Sequence, residues 1–373
     1  MKFNVSSTAL LTALQSLSKV IASKNTLPIL DCFLFDLNGE KLVITASDTE
    51  TKLVTTIDVF TAEGAGLFAI EAKRMLESLK ELPEQPLTID INDDMIVNIE
   101  YENGRFNLPG QAGDAYPQQK ALKETATAID IESQILLNGI NRTFFATAED
   151  ELRPVMNGVY FDIKTEHLTF VASDGHKLVR LRNFAIKGSA DASFILPKKP
   201  ANLLKGLLLK NSDLITITFD DNNARFTTPN FEMVCRLIEG RFPNYESVIP
   251  AESPNIATID RLSLLTALKR VSVFSNQGSS LVKLQLSENE ILVSAQDIDF
   301  ATSAEEKVVC QYNATPFNIG FKSSFLIEIL ANISASEVLL QLKDPSRSGI
   351  IVPAANEDNE DLLMLLMPMM LND

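Results

Sequence analysis

The sequence predicts an α+β protein made of three copies of one domain, each with two helices packed on antiparallel strands. Three observations lead there. The 373 residues exceed one small domain and, at roughly 150 residues per domain, allow two or three, each long enough to bury its own core. Short motifs recur in a fixed order at intervals of about 125 residues. Between the helical stretches lie alternating runs such as Leu87-Thr-Ile-Asp-Ile91 and Leu214-Ile-Thr-Ile-Thr-Phe219, which suit half-buried antiparallel strands rather than the continuous apolar strands of parallel sheets.

The first helix of each copy is marked by Leu10-Leu-Thr-Ala-Leu14, repeated letter for letter at Leu264–Leu268, with Ser133-Gln-Ile-Leu-Leu-Asn-Gly-Ile140 between them. Apolar residues at i, i+3, i+4 spacing define these helices: Leu10, Leu14, Leu17 and Ile21; Leu136, Leu137, Ile140 and Phe144; Leu264, Leu265, Leu268 and Val271. Strands ending in Ala-Ser-Asp or Ala-Gln-Asp follow at Leu42–Asp48, Leu168–Asp174 and Ile291–Asp297. A short apolar strand then runs into a lysine at Phe68–Lys73, Phe194–Lys198 and Phe317–Lys322. That lysine opens the second helix, carried by Met75, Leu76, Leu79 and Leu82, by Leu203, Leu204, Leu207 and Leu208, and by Leu326, Leu330 and Ile333. Loop-like Thr125-Ala-Thr127 and Glu252-Ser-Pro-Asn255 set the expected domains at 1–127, 128–254 and 255–373.

Composition excludes several classes. Hydrophobic residues at 45% and charged residues at 22% are those of a folded globular chain, not a disordered one. Cys32, Cys235 and Cys310 are odd in number and far apart, so they form neither a disulfide framework nor a metal knuckle, and a reducing compartment, the cytoplasm, is expected. The N-terminus lacks a charged segment followed by a continuous apolar one, so no secretion signal is expected. The longest apolar run, Leu362–Leu371, is about half of what a bilayer requires and contains a proline, so no membrane span or membrane partner is expected.

A net charge of −16 argues at first against a nucleic-acid partner, but the charge is segregated. The six helical windows 7–24, 72–82, 133–146, 198–210, 261–274 and 322–333 carry +2, +1, +1, +4, +3 and 0, a total of +11, which leaves −27 for the rest. Sheets outside and helices inside would give a positive lining within a negative shell, able to neutralise phosphates without reading sequence and so to slide. Lysines also decorate the solvated face of any amphipathic helix, so charge alone does not single out nucleic acid. The threefold repeat adds weight: six like helices, doubled by a second chain, fit around a ring if a head-to-tail contact closes.

Catalysis finds little support. Ser173-Asp174-Gly175-His176 holds three triad residue types, but neighbours along a strand point apart, whereas a triad converges from separate segments. His167 is the only other histidine, too few for a His-rich metal site or a second base. Gly64-Ala-Gly-Leu-Phe-Ala69 fits a dinucleotide fingerprint in letters alone, because its repeat counterparts make Leu67–Ile70 a strand where the fingerprint needs a helix start. No phosphate-binding loop of the G-x-x-x-x-G-K type is present, and no cofactor, metal or catalytic residue is expected.

Leu27-Pro-Ile-Leu30, Ala172-Ser-Asp-Gly-His-Lys-Leu178, Gly240-Arg-Phe-Pro-Asn-Tyr245 and Met367-Pro-Met-Met-Leu371, taken in order along the whole chain, resemble the bacterial DNA polymerase III beta subunit family, the sliding clamps. The resemblance implies the DNA clamp fold: a head-to-tail homodimer forming a six-domain ring that encircles double-stranded DNA and tethers the replicative polymerase, with no chemistry of its own. It implies further partners that share a short linear motif: the clamp loader, repair polymerases, ligase and mismatch-repair proteins. The family's peptide pocket, carried over by motif, would be lined by Met156, Ser173, Gly175, His176, Lys177, Leu178, Pro243, Val248, Leu366, Met367, Pro368 and Met369. DNA contacts would be Lys24, Lys73, Arg74, Lys198 and Lys199. The dimer seam would join Phe106 and Leu108 to Val273 and Phe274, with Arg74 against Glu305 and Glu306. The chain departs from the family pattern at Lys177, where arginine is common, at Ser247, where a basic residue is common, at Asp150, where some relatives place a neutral amide, and in the two added residues Asn372 and Asp373.

Overall fold

The computed structural model describes residues 1–118, 121–209 and 213–371; Lys210, at the end of one expected helix, and Asn372 and Asp373 lie outside them. Among the described residues six α-helices form: α1 (Ser7–Leu17), α2 (Ala72–Lys80), α3 (Ser133–Phe144), α4 (Lys198–Leu208), α5 (Arg261–Val271) and α6 (Ser323–Ala331). Each begins directly after a strand. Three times the order runs strand, helix, four strands, helix, three strands, with one additional short strand, Thr61–Glu63, in the first copy.

Local chemistry explains the helix limits. Ser6 caps α1 by accepting from the Ala9 amide, and Asp260 caps α5 by accepting from the Ser263 amide, each meeting an amide that the first turn leaves unpaired. Helix α1 stops at Leu17, so Lys19, Ile21 and Lys24 fall beyond it, where β-branched Val20 and Ile21 weaken helical preference. Leu82 likewise falls beyond α2, because Pro83 disfavours helical geometry in the residue before it. Ile333 follows the Asn332 cap of α6. With these limits the helices α1 to α6 carry 0, +2, +1, +3, +3 and −1, a total of +8. They remain basic in an acidic chain.

The recurring aspartate has a mechanical reason. In each copy it turns a hairpin by accepting backbone amides two and three residues ahead: Asp48 from Glu50 and Thr51, Asp174 from His176 and Lys177, Asp297 from Asp299 and Phe300. Gly139 has an equally specific role, since a Cβ there would lie 2.4 Å from the Phe170 ring and hold α3 off the strand beneath it.

The chain divides into two compact units that cut through the central copy. The first, Met1–Gln134 with Asn202–Leu237, holds a 13-stranded sheet; the second, Ile135–Ala201 with Ile238–Asp373, holds a 12-stranded sheet. The central copy gives four strands to each. Within the first unit, Thr51–Asp58 of copy one pairs antiparallel with Phe231–Arg236 of copy two. Within the second, Lys177–Asn183 of copy two pairs antiparallel with Glu360–Leu366 of copy three. The rule is the same both times: the third strand after the first helix joins the last strand of the next copy. Cys32, Cys235 and Cys310 are buried free thiols, and burial pushes all three up from the ordinary thiol range. No helix of the described residues is long and apolar enough to cross a membrane.

Candidate functional site

The strand Lys177–Asn183 builds the main site of the second unit, because alternation gives its two faces different work. On one face Ser173, Leu178, Leu365 and Ile350 stand in register across four strands, and Tyr160, Val171, Arg180 and Leu363 form the next row. Val171, Leu178, Ile195, Phe242, Tyr245, Ile350, Leu363 and Leu365 form one buried apolar cluster, with Val155 and Ile249 packed against it. Phe242 stacks on Tyr160 at 4.7 Å, and the Tyr245 hydroxyl donates to Asp162 at 3.0 Å, so the 242–249 segment is anchored at its polar end. Burial and the neighbouring Asp162 charge push the Tyr245 hydroxyl well above its ordinary range, leaving it a hydrogen-bond donor. Beside this cluster Pro243, Val248 and Met367 are exposed, and the Ser348 hydroxyl donates to the Met367 sulfur at 3.1 Å. An apolar floor with adaptable methionine and proline at its edge suits a short apolar peptide.

The opposite face carries Lys177 and Leu366, which are paired with each other and turned away from Leu178. Lys177 is 5% exposed; its ammonium lies 2.8 Å from Asp174, 3.2 Å from Glu328 on α6 and 4.2 Å from the centre of the Phe325 ring. Lys322 reaches the same ring at 4.7 Å, and His176 stacks beside it. Burial pushes the Asp174 carboxyl up, but the Lys177 ammonium and the Lys177 and His176 amides outweigh that and hold it below its ordinary range. Lys177 and Leu366, expected at the pocket, thus lie on the face opposite Leu178, while Leu365 shares the face of Leu178.

The other expected pocket residues take several places. Met156 is buried outside the apolar cluster, and its neighbour Val155 makes that contact. Gly175, at φ +90°, leaves room for Arg153, whose Nη1 would lie 2.8 Å from a Cβ there. His176 is exposed, and its carbonyl accepts from the Met367 amide at 2.8 Å; the Gly320 carbonyl accepts from Met369 at the same distance, so the tail through half-buried Pro368 is held at two points. The triad letters do no catalytic work: the Ser173 hydroxyl donates to the Lys177 carbonyl at 2.9 Å and accepts from the Gly175 amide. Gly66–Glu71 is a strand, which removes the dinucleotide fingerprint. Among the described residues no group of three or more His, Cys, Asp or Glu could hold a metal ion.

Four of the five expected DNA contacts sit at helix starts. Lys73 and Arg74 are exposed in the first turn of α2, Lys198 and Lys199 open α4, and Lys24 is exposed in the stretch after α1. None of the six helices has an acidic residue in its first turn, where the helix dipole would favour one. Lysine at that end is electrostatically unfavourable until an anion arrives, when backbone amides and ammonium act together. Lys198 is held meanwhile by Glu149 at 2.9 Å, which keeps that carboxyl below its ordinary range, and Arg74 is held by Glu71 at 3.0 Å.

Of the expected seam residues, Phe106 is half-buried against Tyr101 and Leu108 is buried, both on Gly104–Ala112 of the first unit. Val273 and Phe274 are exposed in the second unit, as is Glu305. Glu306 is gripped by the forked Arg270 guanidinium, with Nε at 2.9 Å, and its carboxyl is held below the usual range. Profiles of the DNA polymerase III beta subunit match the chain throughout: the N-terminal domain over residues 1–120, the central domain over 130–244 and the C-terminal domain over 246–369. The beta sliding clamp of Pseudomonas aeruginosa is 30% identical over 375 residues, covering 100% of each chain. The chain belongs to the beta sliding clamp family. The beta sliding clamp of Bacillus subtilis is 26% identical over 379 residues, covering 99% of each. A Pseudomonas aeruginosa DnaN sliding clamp solved bound to griselimycin matches with a TM-score of 0.94 at 28% identity, covering 100% of both chains. The DNA polymerase III beta subunit of Thermotoga maritima matches with a TM-score of 0.90 at 26% identity, covering 100% of both.

Within this sliding clamp fold, sequence reading passed over Leu365, Ile350, Phe242 and Tyr245 as the apolar floor, and Phe325, Lys322 and Glu328 as the supports of the pocket strand. Strand alternation through Leu362–Leu366 offered the one signal that could have found Leu365. Nothing in the sequence near Lys177 points to α6.

Proposed function

We propose that two copies of this chain close head to tail into a ring around duplex DNA in the cytoplasm, and that the ring holds the replicative polymerase to its template as a processivity clamp. The observation that carries the reading is the pairing rule. Copies one and two each give their third strand to the last strand of the next copy, and the same rule leaves Thr302–Gln311 of copy three and Gly104–Ala112 of copy one without that neighbour. Residues 302–309 pair only with Glu290–Asp297, and residues 104–109 only with Ile96–Tyr101. Each has one open edge among the described residues. Open strand edges invite another chain, and two complementary edges at different places on one chain make a heterologous contact that closes into a ring or grows into a fibre. Exposed Val273 and Phe274 with half-buried Phe106 supply the apolar part of the seam.

Helices that together carry +8 among the described residues, with lysine at the starts of α2 and α4, support a DNA-facing role for Lys24, Lys73, Arg74, Lys198 and Lys199. The face carrying Leu178 and Leu365, with Pro243, Val248 and Met367 beside it, receives the partners' linear peptide: polymerase, loader and repair proteins in turn. The expected limit at 254 falls just before the strand Asn255–Asp260, while the one at 127 falls on the first residue of the strand Thr127–Glu132. The clamp contributes position, not chemistry. Electron micrographs of the purified protein test the reading: two-chain rings with a central opening are expected, and solid particles or single chains would overturn it.

A further inference from the structure

The hairpin turned by the recurring aspartate differs in copy three. In copies one and two its arms meet at Ala46 with Leu53 and Ala172 with Val179, seven residues apart; in copy three they meet at Ala295 with Ala304, nine apart. The two added residues lengthen a tip that reads Ile298-Asp-Phe-Ala301. Ile298 is 82% exposed and Phe300 74% exposed, and Ala301 takes a left-handed φ of +52°, which aims the tip at a local conformational cost. The Asn276 amide lies 3.5 Å from both Asp297 and Asp299, which ties the tip to the segment carrying exposed Val273 and Phe274. Two large apolar side chains on a lengthened, tethered loop are unfavourable in water and mark a contact surface.

We propose that this tip is an apolar hook that docks into the first copy of a second chain. The inference rests on the head-to-tail reading and goes beyond it by naming the contact. At both internal seams the foot of the hairpin meets the far end of the last strand, Thr51 opposite Cys235 and Lys177 opposite Leu366. Carried to the open edges, the same rule puts the foot of the third hairpin beside Leu108 of the second chain and its tip beyond, at Pro109–Gln111. There the first unit has a cleft of about 730 Å³ lined by Ile21, Pro28, Cys32, Lys73, Pro109 and Gln111 among others. Lys73 has no carboxylate partner among the described residues, and Asp299, between the two apolar side chains, supplies one. Phe300 and Ile298 fill the apolar wall; Asp299 meets Lys73, among the described residues the one cation of a lining that also holds Asp31 and Glu71.

The test replaces Phe300 by the photoreactive analogue p-benzoylphenylalanine and mixes light- and heavy-isotope chains, so that cross-links between chains are told from those within one. Cross-links from position 300 to residues 21–32, 71–73 or 109–111 of the other chain are expected. In parallel, sedimentation of Phe300→Ser should show a dimer dissociation constant raised about ten- to a hundredfold per seam, the loss for one large apolar side chain returned to water. Its melting should be unchanged, since the side chain is already exposed, and Phe60→Ser, an exposed phenylalanine outside the cleft, should leave the constant alone. Intact dimers whose cross-links map elsewhere, or whose dissociation ignores Phe300, overturn the hook and leave the ring standing. A wild-type chain that never dimerises overturns both.

Discussion

Replacing Lys177 by methionine separates two accounts of that residue. Were it a pocket wall, the substitution would weaken peptide binding and leave stability alone. In the structure Lys177 is instead a buried tie, 2.8 Å from Asp174, 3.2 Å from Glu328 and 4.2 Å from the Phe325 ring centre. Removing one member of a buried pair costs about 3–5 kcal/mol when its partner is stranded. Here the cost is smaller: Asp174 keeps the His176 and Lys177 amides, and the Glu328 side chain, 48% exposed, returns to water. With about 1 kcal/mol from removal of the cation–π interaction, a total near 2–3 kcal/mol follows. At roughly 2–4 °C per kcal/mol for a body of this size, the transition of the second unit should fall by about 4–12 °C at pH 7 in calorimetry. The sign with pH is fixed by Asp174. Its folded-state pKa is depressed, so its stabilisation is complete above the unfolded value near 3.9 and disappears as pH falls through the lower folded value. The gap between wild type and Lys177→Met should therefore narrow as pH falls through the depressed Asp174 value, leaving the part due to the Phe325 ring. A variant that melts with wild type at pH 7 yet loses peptide affinity would refute the buried tie.

Val248→Asp, at an exposed position beside the apolar floor, should weaken binding of a fluorescent polymerase-derived peptide at least about tenfold in anisotropy titrations without changing the dimer. Lys198→Gln with Lys199→Gln should lower affinity for duplex DNA and reduce the slope of log affinity against log salt by about one for each phosphate no longer neutralised. Glu149→Gln should act in the opposite sense, raising DNA affinity at low salt, because it frees the Lys198 ammonium held at 2.9 Å. Gly175→Ala should lower the melting temperature and the peptide affinity together, since the residue sits at φ +90° with Arg153 in the space a Cβ would take.

The repeat was legible because its markers have local causes. An aspartate that turns a hairpin must sit at the same step of each copy, so Asp48, Asp174 and Asp297 show in the letters. Helix ends were overrun where a single residue decides them, as Pro83 does after α2. Strand alternation puts Leu365 on the face of Leu178 and Leu366 on the opposite face, and a motif match carries no facing information. The burial of Lys177 was not legible because its partners Phe325 and Glu328 lie far along the chain, where only the fold brings them to it. The open edges were beyond reach for the same reason, since an unpaired strand looks like any other until its neighbours are known.

Retention on DNA of two topologies tests the central claim most directly. The protein is placed on nicked circular duplex by a clamp loader, freed of loader, and followed by gel filtration before and after the circle is cut once. A closed ring stays on the circle through high salt and runs off the linear molecule within the time of the assay. Equal retention on circle and linear duplex would mean that the chain grips DNA from outside, and the encircling account would be wrong.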